Sequence, residues 1–289
     1  DTSFGTNGLV STDLNGSYNF IEALALDNDG NIVAGGSACN PFIGYYEFAL
    51  ARYKPNGELD TSFGTNGLVF TDFEDSDDDS IYSLVIDSEG NIVAGGHFYN
   101  DNTNLMNFAL ARYKPNGELD PSFGTGGWIA AAFDGMPSVL GSIALDGDGN
   151  IVAGGYRDTT GTGKYDFVIA RYTTDGELDT TFGTNGLVST DFGRNDKISS
   201  LSVDSYGNIV AGGTSYGDGG SDEIFVLARY KPNGELDSSF GTDGWTSPDL
   251  GGDVDVLQSV VINGNGDIIA GGYDFRSATS NFALASFKG

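Results

Sequence analysis

FALARYKPNGELDTSFGTNGLV, residues 48–69, decides the fold, because most of it comes round again. Residues 108–120 read FALARYKPNGELD a second time, and FGTNGLV stands at 4–10, 63–69 and 182–188. The phenylalanine that opens each such segment is Phe4, Phe63, Phe123, Phe182 or Phe240, which gives spacings of 59, 60, 59 and 58 residues. A fixed period of this kind signals a repeat architecture. The chain begins at Asp1-Thr2-Ser3-Phe4, midway through a unit, and ends at Lys288-Gly289, just short of the same point. An open stack gives no reason to divide one unit between two ends, whereas a closed ring does.

Working outward along one unit, Ile81-Tyr82-Ser83-Leu84-Val85-Ile86 is rich in strand formers, and Ser88-Glu89-Gly90 turns it into Asn91-Ile92-Val93-Ala94-Gly95-Gly96. After a variable stretch (97–107), Phe108-Ala109-Leu110-Ala111-Arg112-Tyr113 alternates large and small, as a strand with two unlike faces does. Lys114-Pro115-Asn116-Gly117 is turn chemistry, with proline fixing φ and glycine accepting positive φ. Trp128-Ile129-Ala130-Ala131 supplies a fourth strand. Short strands, frequent glycine turns and no helical period predict an all-β chain.

Four strands in each of five units would expose many sheet edges if the array stayed open. Radial closure of four-stranded antiparallel blades removes that problem, so the expected fold is a five-bladed β-propeller. The blades fall at about 15–72, 73–132, 133–191, 192–249, and 250–289 plus 1–14, in one domain spanning 1–289. Residues 1–13 are then expected to latch the ring as the outer strand of the last blade. The first residue is Asp rather than Met, which points to a processed or excerpted chain.

The run LALDNDGNIVAGG followed by FALARYKPNGELDTSFGTNGLV resembles the delta-60 repeat, a bacterial propeller-type repeat. The resemblance covers essentially the whole chain. The last copy departs from it, with Ser286-Phe287 in place of Arg-Tyr and Asn263 in place of Asp. The resemblance implies a propeller fold and an extracellular or envelope location in a bacterium. It carries no established reaction, so it brings no catalytic residue.

Forty-one acidic against 13 basic residues leave a formal charge of −28. Nucleic acid is therefore not an expected partner, since phosphate binding needs clustered Lys and Arg. No run of about 20 apolar residues is present to span a membrane as a helix. Cys39 is the only cysteine and His97 the only histidine, so no disulfide, Ser–His or Cys–His pair, or zinc set is expected.

Blade geometry sorts the loops. Turns between strands one and two, and three and four, share one face and are nearly uniform: Asn28-Asp29-Gly30-Asn31, Ser88-Glu89-Gly90-Asn91, Gly147-Asp148-Gly149-Asn150 and the Pro-Asn-Gly-Glu-Leu-Asp turns. The two-to-three and blade-to-blade connections differ in every copy and form the expected functional face, since binding sits on varied loops over a rigid scaffold.

Several motifs then divide between structure and function. The Asp27-Asn28-Asp29-Gly30-Asn31 type looks like a calcium loop but lacks the further oxygens and distal Glu, so a structural turn is expected. Gly-Gly pairs at 35–36, 95–96, 154–155, 212–213 and 271–272 precede no helix and read as points of close backbone approach. Arg52, Arg112, Arg171 and Arg229 are expected to pair with Asp60, Asp120, Asp179 and Asp237, one turn on.

On the variable side, the acidic run 72–79 offers Asp75, Asp77 and Asp79 as the candidate metal set, for calcium; no other cofactor is expected. Glu22, Asp79, Tyr82, Asp196, Lys197, Asp255 and Gln258 lie where chains enter the inner strands. Aromatics gather in the two-to-three loops: Phe42, Tyr45, Tyr46, Phe98, Tyr99, Tyr165, Tyr216, Tyr273 and Phe275. Tyrosine offers a flat apolar face with a polar tip, which suits sugars or protein surfaces. The expected function is a non-enzymatic binding propeller for carbohydrate or protein. Two alternatives stand beside it: a structural subunit joined by homotypic contacts, and a glycan-active enzyme using axial carboxylates.

Overall fold

Each repeat folds into an antiparallel meander, as its alternation predicts. A computed structural model describes residues 1–14, 18–40, 42, 44–73, 78–217, 222–250, 252, 254–276 and 279–289. The first sheet holds β1 (Asn19–Leu26), β2 (Ile32–Cys39), β3 (Tyr46–Tyr53) and β4 (Leu68–Thr71), hydrogen-bonded in that order. The second holds β5 (Ser80–Ile86), β6 (Ile92–Asn100), β7 (Leu105–Tyr113) and β8 (Trp128–Ala131). The third holds β9 (Ser138–Leu145), β10 (Ile151–Asp158), β11 (Tyr165–Tyr172) and β12 (Leu187–Thr190). The fourth holds β13 (Asn195–Val203), β14 (Ile209–Tyr216), β15 (Glu223–Tyr230) and β16 (Trp245–Thr246). The last holds β17 (Val254–Ile262), β18 (Ile268–Arg276) and β19 (Thr279–Phe287). The one helical element among the described residues is a 3-10 turn, Phe133–Gly135. The chain divides into two compact units, Asp1–Leu140 and Gly141–Gly289, with the division inside β9.

In the first four sheets the second and third strands are buried on both faces, which explains their runs of small and apolar residues, whereas β19 of the last sheet is largely exposed. In the first unit Val33, Phe48, Leu50, Phe63, Ile81 and Leu84 share one core; in the second, Phe167, Ile169, Phe182, Ile198, Leu201 and Ile209 do so. The two glycines of each pair serve different ends. A Cβ on Gly36, Gly96, Gly213 or Gly272 would lie 1.8–1.9 Å from a carbonyl oxygen of the adjacent strand, at Phe20, Ser80, Lys197 or Val256. Those carbonyls stand beside β-bulges at Ile21/Ala23, Ile81/Ser83, Ile198/Ser200 and Leu257/Ser259. At Gly35, Gly154 and Gly212 the first glycine makes room for the following sheet. A Cβ on Gly35 would meet Leu84 at 2.8 Å, and one on Gly154 would meet Leu201 at 2.7 Å.

The uniform turns are held by their own carboxylates. Asp27 Oδ1 accepts the N–H groups of Asp29 (3.0 Å) and Asn31 (2.8 Å), and its Oδ2 accepts Asn31 Nδ2 (2.8 Å). Asp87, Asp146 and Asp204 repeat the arrangement. Asn263 keeps the turn in the last repeat by accepting from Asn265 N and Asp267 N. The expected arginine pairs also form. Arg52, Arg112 and Arg171 each place Nη2 2.7 Å from Asp60, Asp120 and Asp179, while Arg229 Nε lies 2.8 Å from Asp237. Each guanidinium also covers a phenylalanine ring, at 4.7 Å for Phe63 and 4.9–5.0 Å for Phe123, Phe182 and Phe240. Arg52 and Arg171 reach one repeat further, donating to the carbonyls of Pro115 and Pro232.

Residues 1–13 sit on the first sheet. Gly5 N donates to Asn56 O at 2.8 Å, as Gly64 N does to Asn116 O and Gly183 N to Asn233 O. Tyr53 Oη donates to Thr12 Oγ1 at 2.8 Å, matching Thr71–Tyr113 at 2.7 Å and Tyr230–Thr190 at 2.9 Å. The N-terminal segment thus lies on the first sheet as the outer segments at Gly64 and Gly183 lie on the second and fourth sheets. Within this segment Thr6 and Leu9 form a bridge, and the last sheet has three strands among the described residues.

Candidate functional site

The variable connections of the second unit bring three tyrosines, a lysine and three aspartates together. Asp158, at the end of β10, organises the loop that follows by accepting the N–H groups of Thr160 (3.0 Å), Gly161 (2.7 Å) and Gly163 (2.8 Å). The loop returns so that Tyr165 pairs across from Asp158, and its ring meets Tyr156 edge to face at 5.2 Å. Lys197, the third residue of β13, points its ammonium into this corner. Nζ lies 4.5 Å from the Tyr156 ring centre, 5.2 Å from Tyr216 and 5.5 Å from Tyr165. Burial opposes the lysine charge, but the surrounding tyrosine oxygens outweigh it and hold Lys197 above its ordinary value. Burial likewise pushes the Tyr156 hydroxyl up. A cation over ring faces is attracted to the ring quadrupole, so the cluster holds itself in shape.

Next to Lys197 in sequence, fully buried Asp196 faces Asp166 and exposed Asp191; one oxygen from each lies within 4.8 Å of the other two. Each carboxylate has a local anchor. Asp196 Oδ2 accepts Phe192 N (2.8 Å), Asp191 Oδ1 accepts Gly193 N (2.6 Å), and Asp166 Oδ2 accepts Thr159 Oγ1 (2.5 Å). Burial raises the Asp196 carboxyl above the ordinary range against the Ser215 hydroxyl and Phe192 N–H, and Asp191 and Asp166 push the same way. Burial also raises Asp166, with Asp191 and Asp158 adding to it and Thr159 and Arg157 opposing.

Four of the residues singled out in the sequence therefore meet in one place: Tyr165, Asp196, Lys197 and Tyr216. Others take separate positions. Glu22, Tyr82 and Gln258 occupy the equivalent bulge position of three inner strands, all exposed. Tyr82 stacks on His97 at 5.3 Å. Asp79 is buried, and its backbone N–H donates to Tyr46 O at 2.9 Å, so this pair ties a loop. Asp255 is buried and accepts Leu250 N at 3.0 Å, the same anchoring role that Asp196 has. Tyr45 and Tyr273 are exposed, and Tyr99 is half-buried with its hydroxyl 3.4 Å from Asn104 Oδ1. Asp75 and Asp77 lie outside the described residues. Sequence reading passed over Tyr156, Asp166 and Asp191. The signal for Tyr156 is the residue after Gly-Gly, which runs Ser37, His97, Tyr156, Thr214 and Tyr273, four identities within an otherwise uniform strand.

The family model described as a domain of unknown function (DUF5122) β-propeller matches residues 28–63, 88–123, 147–182 and 207–240. No curated protein matches the sequence. Among solved structures, a gluconolactonase from Xanthomonas campestris is similar at 12% identity and TM-score 0.46, over 91% of this chain and 71% of that one. A catalytically inactive virginiamycin B lyase from Staphylococcus aureus, solved with quinupristin, is similar at 11% identity and TM-score 0.45, over 96% and 87%. PorZ, a surface component of the type-IX secretion system of Porphyromonas gingivalis, is similar at 10% identity and TM-score 0.37, over 92% and 40%. The four successive matches together cover just under half of the chain, and each runs from the first turn through the second and third strands of one of the first four sheets, so over these stretches the chain is similar to a β-propeller repeat.

Proposed function

We propose that this protein is a non-enzymatic binding propeller of the bacterial exterior or envelope, recognising carbohydrate, or else a protein surface, through its variable loops. The observation that carries this reading is the half-buried set Tyr156, Tyr165, Tyr216 and Lys197 beside Asp166 and Asp191. Flat rings with polar tips, an ammonium and carboxylates together offer what a hydroxyl-rich ligand needs. The uniform turns offer less, because their carboxylates already accept from their own N–H groups. A hydrolytic reading asks for two carboxyls open to one sugar bond. Asp196 is fully buried and holds Phe192 N, which weighs toward binding.

Glycan-array profiling of the protein, Tyr165→Ala and Tyr216→Ala tests this. Retention of a glycan class that both variants lose supports the reading. No retained glycan, or retention that both variants keep, sinks it for carbohydrate.

The sheets, on the same proposal, close as five blades with residues 9–12 pairing against β19. Leu24 is the counterpart of Leu84 and Leu201, yet it is 64% exposed where they are 8% and 7%. In the last sheet a Cβ on Gly271 would meet only Leu284 of its own sheet, and Phe282 and Leu284 stand exposed on β19. Unfilled glycine and uncovered leucine are the two halves of the contact that Gly35 and Leu84 make. A second reading uses the same surfaces to join separate copies head to tail, as in a layer or filament.

A further inference from the structure

We propose that Asp166, Asp191 and Asp196, with the Ser215 hydroxyl, form a site for one calcium ion at the mouth of the Tyr156–Tyr165–Tyr216 cluster. Three carboxylates facing one another repel unless protons or a cation intervene. Calcium takes oxygen ligands at about 2.3–2.6 Å, so two ligands of one ion lie no more than about 5 Å apart. The aspartate oxygens, all within 4.8 Å of one another, meet that limit.

A cluster of acids alone would not single out an ion. A separate observation does: Ser215 Oγ and Asp196 Oδ1 are both buried, and although the hydroxyl lies near enough to favour the Asp196 carboxylate, neither atom makes a hydrogen bond of good geometry among the described residues. Ser215 sits directly across from Asp196 in the β13–β14 register. Buried polar atoms of this kind are rare without an ordered partner. The local anchors of the three aspartates leave one oxygen of each outside those hydrogen bonds. The charged groups facing the site are Arg157, opposite Asp166 in the β10–β11 register, and Lys197 and Asp158 beside it. Three carboxylates against these cations suit a weak site of the extracellular kind, with a dissociation constant of roughly 10⁻⁴ to 10⁻³ M.

The site shares Asp166 and Asp191 with the proposed glycan surface, but its test contains no glycan, so either reading can fail alone. Calcium titration by calorimetry in 0.15 M KCl, with Tb³⁺ emission sensitised by tyrosine as a second readout, is run on four proteins. These are the parent, Asp191→Asn, Asp166→Asn, and Asp148→Asn as a control in a uniform turn. Asp191 is exposed, so its variant keeps the fold; matched far-UV spectra verify this. The expected result is one saturable calcium event, weakened at least tenfold in Asp191→Asn and Asp166→Asn and unchanged in Asp148→Asn. No saturable event up to about 10 mM calcium, ten times the upper bound above, overturns the site. Equal affinity in all four proteins, or equal weakening in Asp148→Asn, overturns it as well.

Discussion

At Arg52 one side chain answers to three neighbours: the Asp60 carboxylate, the Phe63 ring and the carbonyl of Pro115 in the next repeat. The serine or threonine after each clamp aspartate sharpens the carboxylate further. The Ser62 hydroxyl holds Asp60 below the ordinary 3.8, against burial, with Ser62 N–H and Arg52 adding to it; Asp179 and Asp237 follow through Thr181 and Ser239. At Asp120 burial is the largest influence and opposes, yet the Ser122 hydroxyl and N–H and Arg112 still prevail. A carboxyl depressed in the folded state contributes stability that is present above its unfolded pKa and lost as pH falls through the folded one. Stability should therefore hold near neutral pH and fall below about pH 4, where unfolded aspartate takes up protons. Asp166 and Asp196 act with the opposite sign, since raised carboxyls favour the acid side, but they are outnumbered by the four clamps. Urea unfolding across pH should show the acid loss, and Asp179→Asn should start less stable and lose less. An Asp179→Asn curve parallel to the parent's would contradict the assignment. The clamp pairs were legible in sequence because Arg and Asp recur at fixed spacing; Lys197, Tyr165 and Tyr216 were singled out there too, but their meeting was not legible, because it takes the pairing of β10, β11, β13 and β14 to bring them together.

Among the elements, the inner strand and its Gly-Gly partner form the most exacting contact. The second glycine faces a bulged carbonyl at under 2 Å from any added Cβ, so the conflict is with backbone and cannot relax by a rotamer change. Gly213→Ala should cost on the order of 3 kcal/mol, at the upper end for overpacking. Gly147→Ala, where nothing lies within 4 Å of the added carbon, should stay within about 0.5 kcal/mol. Denaturant midpoints of the two variants check this; similar midpoints would mean the bulge is not rigid. Strands and turns were readable because period-two alternation and Asn/Asp/Gly turns are local signals. The bulges were not, since only the register of two strands reveals them.

For the whole molecule, the open question is what covers β19. By the register Ala49 with Phe70 and Leu50 with Val69, Ser11 falls opposite Ala283 when residues 9–12 join the last sheet. In a Cys39→Ser background, Ser11→Cys with Ala283→Cys should oxidise to an intramolecular disulfide, since facing strand residues bring Cα atoms to about 4.5–5.5 Å. Non-reducing electrophoresis and intact mass read the result. Disulfide-linked multimers would favour head-to-tail copies, and free thiols would sink both arrangements. The split repeat was legible at once and led to the expectation that residues 1–13 join the last repeat; the residues that would face one another were not legible, because that takes the register of a complete sheet. The reach of Arg52 to Pro115 and of Arg171 to Pro232 has a mechanical consequence. Under tension the polypeptide is fastened to its successor by rivets in series, not by one shared seam. Each rivet that shears frees one repeat, which pays out roughly 200 Å of slack as about 60 residues extend.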